Sequence, residues 1–284
     1  MHLVSLKEAG GLQRKYDVIG RLEKIAQCLA ADRAGKHLLI EGPVGVGKTT
    51  LATAISRYLG RPFFRVDGDE RYTSSKLVGW FDPPVVLKRG YVRDAFVPGQ
   101  LTEAMEGGGI LFINEINRMP EATQNTLLPV MDEGILHIPK LGTITAADGF
   151  RIIATQNPAA SIGVTPLGEA LRDRYVWLEL DYHTEPEEQQ IVRLNTGIQD
   201  EAIIKGAVAI TRSTRDYADI RRGASVRGAI DIASLYEQLP QGDYDQWEQA
   251  AVMALVPKIE LHDNVQRTSE EVIRTLVKAV LGNF

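Results

Sequence analysis

The sequence has one cysteine, Cys28, in 284 residues. A single thiol cannot close an intrachain disulfide, which fits a reducing compartment and makes the cytoplasm the expected location. Cys28 lies among the apolar residues of an expected helix and reads as a buried, inert thiol. No uninterrupted apolar run approaches the roughly 18 residues of a membrane span, and the stretch from Met1 to Glu8 carries no apolar core of signal-peptide length. Excess basic charge is missing too: 32 Lys and Arg stand against 37 Asp and Glu, a net charge of −5. Nucleic acid is therefore not an expected partner, and the pair Arg221 and Arg222 reads as a solvated face. The five histidines, His2, His37, His137, His183 and His262, are scattered and none has H-E-x-x-H spacing, so no protein-bound catalytic zinc is expected. No serine sits in a G-x-S-x-G elbow, and no internal repeat or low-complexity segment is evident. What remains is ordinary for a globular protein, 44% hydrophobic and 24% charged, and long enough for one large domain or two smaller ones.

The most informative stretch begins with Leu38, Leu39, Ile40 and Glu41, a short apolar run. Gly42, Pro43, Val44, Gly45, Val46, Gly47, Lys48, Thr49 and Thr50 follow, and residues 51–59 suit a helix. This is the phosphate-loop pattern G-x-x-x-x-G-K-[ST] between a strand and a helix. Glycines let backbone N–H groups turn toward anionic oxygens. Lys48 is of a length to reach the outer phosphates, Thr49 offers a hydroxyl to Mg²⁺, and the helix directs its positive end at the phosphates. ATP and Mg²⁺ are the cofactors this implies.

Along the chain, residues 1–15 read as short and mixed surface, and residues 18–31 as a helix. Strands are expected at 37–41, 63–66, 110–113, 150–155 and 175–180, with helices at 51–59, 120–131 and 167–173 between some of them. Residues 77–81 read as a short helix broken by Pro83 and Pro84, residues 85–87 and 91–93 as two short strands, and residues 96–105 as running into a helix. Residues 135–145 offer two short β segments around Leu141. Strands alternating with helices predict an α/β fold, a parallel sheet with helices on both faces. Thr184-x-x-Glu187 is a capping box opening a helix, and beyond it only helical periodicity is seen, at 202–211, 226–239, 245–255 and in a last helix after Glu271. A boundary is placed near Asn195, giving a P-loop core at 1–195 and a small all-α domain at 196–284.

Hydrolysis needs more than a phosphate loop: metal ligation, a group to orient water, and positive charge on the transferred phosphoryl. In an open α/β sheet these stand at the carboxyl ends of strands. Glu115, after the strand at 110–113, is placed to polarise water. Gln156 and Asn157, after the strand at 150–155, offer amides. Arg172 and Arg174 precede the last strand, and Arg174 is a candidate for serving a neighbouring subunit's site. Arg227 falls in the first turn of a helix, an unfavourable place for a cation unless a partner such as a phosphate is there.

Taken together these motifs resemble an AAA+ ATPase, and within that superfamily the MoxR family. Gly42 to Thr49 matches the phosphate loop, and residues 110–118 resemble the Walker B strand with its trailing Glu-Ile-Asn-Arg. Residues 154–158 are similar to the sensor 1 segment, 170–175 to the arginine-finger segment, and 223–227 to sensor 2 with Val226 in place of proline. Phe96-x-Pro-Gly-x-Leu101 and the β-prone stretches at 85–97 and 135–148 match the family's pre-Walker B segment, helix-2 insert and pre-sensor 1 hairpin. The resemblance implies a P-loop AAA+ core followed by a helical lid, ATP hydrolysis with Mg²⁺, and catalytic roles for Glu115, Asn157, Arg174 and Arg227. It also implies a homo-hexameric ring acting as chaperone or maturation factor, with a von Willebrand factor A-domain partner and a client enzyme. Metal-cofactor insertion, as in the CoxD-like branch, is one such task. Tyr72, Trp80 and Phe81 lie where such rings face their pore, or else pack in the core. One position departs from the pattern. Asn114 stands where the family has aspartate; it keeps an oxygen for Mg²⁺, beside Thr49, but not the charge. The alternative to a remodelling ATPase is a nucleotide-gated binding module with little turnover.

Overall fold

A computed structural model of the chain describes residues 3–158, 164–240 and 245–282; His2 lies outside them. Two compact units are present: Met1–Gly42 with Gly47–Leu180, and Pro43–Val46 with Asp181–Phe284.

The first unit opens with α1 (Leu6–Lys15), where the sequence reading had irregular surface. Ser5 caps this helix by accepting the Glu8 N–H at 3.2 Å, an S-x-x-E signal, and Ala9, Gly10 and Leu12 are buried. After α2 (Leu22–Arg33) come β1 (His37–Glu41), α3 (Lys48–Leu59) and β2 (Phe63–Asp67). Gly60 ends α3 in the left-handed conformation.

The next stretch departs most from expectation. Helix α4 (Ser74–Val78) leads directly into β3 (Gly79–Phe81), and residues 85–87 are not a strand but part of α5 (Pro83–Arg89). Pro83 and Pro84 occupy the first turn, where a fixed φ helps and no N–H is needed, so the diproline starts a helix instead of breaking one. Residues 91–93 are likewise not a strand: Arg93–Ala95 is a 3₁₀ turn, and the strand paired with β3 is β4 (Phe96–Pro98). Then follow α6 (Gln100–Glu106) and β5 (Ile110–Asn114). The helix expected at 120–131 is two, α7 (Glu121–Asn125) and α8 (Leu128–Glu133), because Pro129 can donate no backbone N–H to a continuous helix. The hairpin β6 (Ile135–Ile138) and β7 (Gly142–Thr145) forms as expected, followed by β8 (Arg151–Gln156), α9 (Glu169–Arg172) and β9 (Tyr175–Glu179).

The main sheet has the order β2-β5-β8-β1-β9, all neighbours parallel. Strands β1 and β5 are each buried over their first four residues, as continuous apolar runs in a sheet covered on both faces should be. Leu111, Ile113, Ile152 and Ala154 form the centre of one core with Leu101, Met105 and Leu127.

The second unit contains α10 (Glu185–Thr196), whose capping box between Thr184 and Glu187 is intact. It packs Val192 into a second core, so this helix goes with the helical unit, and the division falls at Leu180 rather than near Asn195. The unit continues with α11 (Glu201–Asp216), β10 (Ile220–Arg222), α12 (Val226–Gln238), α13 (Gln246–Leu255), β11 (Glu260–Leu261) and α14 (Ser269–Leu281). The antiparallel pair β10–β11 was not anticipated, since runs this short leave no period to read. Arg221 pairs with Glu260 and stays exposed, as a solvated face would. Among the described residues no helix is long and apolar enough to cross a membrane.

Candidate functional site

Parallel order sets the carboxyl ends of β2, β5, β8, β1 and β9 in a row: Asp67, Asn114, Gln156, Glu41 and Glu179. Several are joined side by side. Asn114 Nδ2 donates to Asp67 Oδ1 at 3.0 Å, and Thr155 Oγ1 donates to Asn114 Oδ1 at 3.1 Å. Gln156 donates to Glu41, whose other oxygen accepts from Trp177 Nε1 at 2.8 Å.

The phosphate loop leaves β1 at Gly42, and Gly42, Gly45 and Gly47 have φ of 153°, 80° and 91°. These values exclude most other residues and explain why glycine recurs there. Gly47 caps α3 with no side-chain hydrogen bond, so the first-turn N–H groups are not claimed by a capping side chain. Lys48 is buried and its Nζ donates to Gly42 O at 2.7 Å, folding the ammonium back onto the loop. Thr49 and Thr50 continue the first turn of α3.

Glu115 follows β5 in the left-handed conformation, φ 55° and ψ 53°, at a cost of about 1–2 kcal/mol for a residue with a Cβ. Three contacts hold it there. Its N–H donates to Thr155 Oγ1 at 3.0 Å, its carbonyl accepts from Arg118 N–H at 2.9 Å, and its Oε2 pairs with Arg118 Nε at 2.5 Å. Gly68 passes against the same turn: its N–H donates to Asn114 O at 2.7 Å, and a Cβ there would lie 2.1 Å from Glu115 O. Arg65 binds Asp67 through Nε and Nη2, and these bonds, with that from Asn114, hold the Asp67 carboxyl below its usual range.

Asn157 is buried just beyond β8. Arg174 lies between α9 and β9, where Nε and Nη2 grip Asp132 at 2.6 and 2.5 Å and hold that carboxyl low. In the single chain it is thus tied to its own subunit. Arg227, in the second unit, is exposed in the first turn of α12, which has no acidic residue and no side-chain cap. Tyr72 and Phe81 pack on the first core while Trp80 is half-exposed. Cys28 is buried, and burial pushes its thiol up to about 12, as expected of an inert thiol.

The family profile for the AAA domain (dynein-related subfamily) matches residues 37–175. A gas vesicle ATPase, GvpN, from Haloferax mediterranei is 31% identical, over 85% of this chain and 74% of that protein. Gas vesicle ATPase GvpN2 of Halobacterium salinarum is 31% identical over 94% of this chain and 79% of its own length. The chain belongs to the AAA+ ATPases. Within them it is of the GvpN and MoxR type, and it is an ATPase. A crystal structure of a candidate ATPase from Cytophaga hutchinsonii shares the fold, with a TM-score of 0.55, 20% identity and coverage of 96% of this chain and 94% of that one.

For an AAA+ ATPase the row of strand ends is the place for nucleotide chemistry. Sequence reasoning reached Asn114, Glu115, Gln156 and Asn157 in that row but missed Asp67 and Gly68. Locally the two residues read only as a turn after the strand at 63–66, since nothing in the sequence announces that β2 lies beside β5. Arg118 lies within the stretch 110–118, and its contact to Glu115 is visible only in the structure.

Proposed function

We propose that this AAA+ ATPase couples Mg·ATP hydrolysis to the remodelling or maturation of a client protein, working as a homo-hexameric ring in the cytoplasm. Glu115 carries the reading: a carboxylate after the interior strand β5, its backbone held by Thr155 and Arg118, is built to polarise water. In this reading Gly42, Pro43, Val44, Gly45, Val46 and Gly47 wrap the phosphates, Lys48 and Thr50 contact them, and Asn157 orients the γ-phosphate or water. Arg174 acts on a neighbouring subunit after leaving Asp132, and Arg227 meets a phosphate. The first unit is the ATPase core and the helical unit its lid. Oxygen donors at Thr49 and Asn114 fit a hard cation such as Mg²⁺, which would offset phosphate charge. The gas vesicle names of the relatives favour a client within a protein assembly; insertion of a metal cofactor into an enzyme, with a von Willebrand factor A-domain partner, is the other form of the same activity.

Glu115→Gln tests the reading. The variant should bind ATP like the wild type while turnover falls roughly a hundredfold or more, and ATP-dependent co-purification with it should capture the client. Equal hydrolysis by variant and wild type would remove Glu115 from its role.

A further inference from the structure

Asn114 holds the place of an aspartate, and its side chain bridges Thr155 on one side and Asp67 on the other. The hydrogen-bond chain through Asn114 has only one possible direction. The Asp67 carboxylate can only accept, so the Asn114 amide NH₂ points toward β2 and donates to Asp67 Oδ1. Asn114 Oδ1 then faces Thr155, whose hydroxyl donates there while accepting the Glu115 N–H. Asp67 and Asn114 are register partners on adjacent parallel strands, so the two side chains share one side of the sheet. An aspartate at 114 would still accept from Thr155, but it would face the Asp67 carboxylate where a 3.0 Å hydrogen bond now stands. Like charges at that distance repel unless a cation intervenes. An asparagine at 67 would instead leave this corner with no carboxylate.

We propose that Asp67 is a positioning residue of the ATPase site: it bears on β2 the negative charge that the Walker B pattern places on β5. Through the Asn114 amide it also fixes the Thr155 hydroxyl and the backbone of Glu115. Asn114 is then not a weakened aspartate but the matched half of a transposed pair. The inference rests on the ATPase assignment and concerns how this chain's own residues meet the Mg²⁺ that accompanies the nucleotide. Arg65 also binds Asp67, through Nε and Nη2, and so helps to hold the same carboxylate toward Asn114.

The test compares wild type, D67N, N114D and the double variant D67N/N114D. The readouts are kcat, KM and the Mg²⁺ concentration at which a fluorescent ADP analogue is half-bound, the last needing no turnover. Each single variant should lower kcat roughly tenfold and shift the Mg²⁺ midpoint, while the double variant returns to within about threefold of wild type. Thr155→Ser should behave as wild type and Thr155→Val, of nearly the same shape without the hydroxyl, should lose turnover. Thermal melts accompany each protein; if D67N alone does not fold, N114D against the double variant still decides. The proposal is overturned if N114D hydrolyses ATP as fast as wild type, or faster, at an unchanged Mg²⁺ midpoint. It is equally overturned if the double variant is no better than the weaker single one. Lys48→Ala keeps the two readings apart: wild type without hydrolysis, and nucleotide binding indifferent to Lys48, would count against the ATPase assignment and not against the pair.

Discussion

His37 makes the stability of the nucleotide-binding unit depend on pH in a calculable way. It heads β1, the strand that delivers the phosphate loop. Its buried Nδ1 accepts the Ile152 N–H of β8 at 2.9 Å, and its ring meets Phe150 edge-on at 6.1 Å. That hydrogen bond requires an unprotonated Nδ1. Burial first, then the charges of Arg151 and Lys36, lower its pKa from 6.5 to about 4. The folded value lies below the unfolded one, so between them the unfolded chain takes up a proton that the native state refuses. The contribution is therefore complete above pH 6.5 or so and is lost as pH falls toward 4. At about 1.4 kcal/mol per unit, the shift from 6.5 to about 4 amounts to about 3 kcal/mol over the whole window, of which about 2 kcal/mol falls between pH 7 and 5. Urea unfolding of wild type and His37→Asn at about pH 7, 6 and 5 would measure it. Asparagine keeps an acceptor near Nδ1 but does not titrate. The variant should be the less stable protein near neutrality, and the gap should close by about 2 kcal/mol at pH 5. Parallel loss of stability in the two proteins would refute the argument.

Gly68→Ala should cost about 1–3 kcal/mol and slow hydrolysis, since its Cβ would fall 2.1 Å from Glu115 O and one backbone must yield; wild-type melts and turnover would show that the turn has slack. For Arg174, mixing Arg174→Ala subunits with Lys48→Ala subunits should restore some activity, because a mixed interface can join an intact loop to an intact arginine. No recovery in demonstrated mixed oligomers would leave Arg174 with its contacts to Asp132 and the Ala170 carbonyl within its own subunit.

The glycine and lysine pattern of residues 42–49 is legible without a structure because a phosphate loop depends on residue types at fixed short spacing, and backbone conformation there is a local property. The same holds for the apolar runs of β1, β5 and β8, whose burial on both faces leaves no alternation, and for the capping box at Thr184. Misreadings arose where local signals compete. Val85 and Val86 favour a strand on their own, yet Asp82 and two prolines start a helix ahead of them; Pro129 splits a helix that apolar periodicity alone would continue. Strand order is different in kind. That β2 lies beside β5, and so that Asp67 meets Asn114 across 47 positions of chain, follows from long-range packing that no local pattern encodes. From the sequence by itself Asn114 is a missing charge. Only the tertiary structure, by setting two strands in register, places a carboxylate against it and makes asparagine the residue that fits.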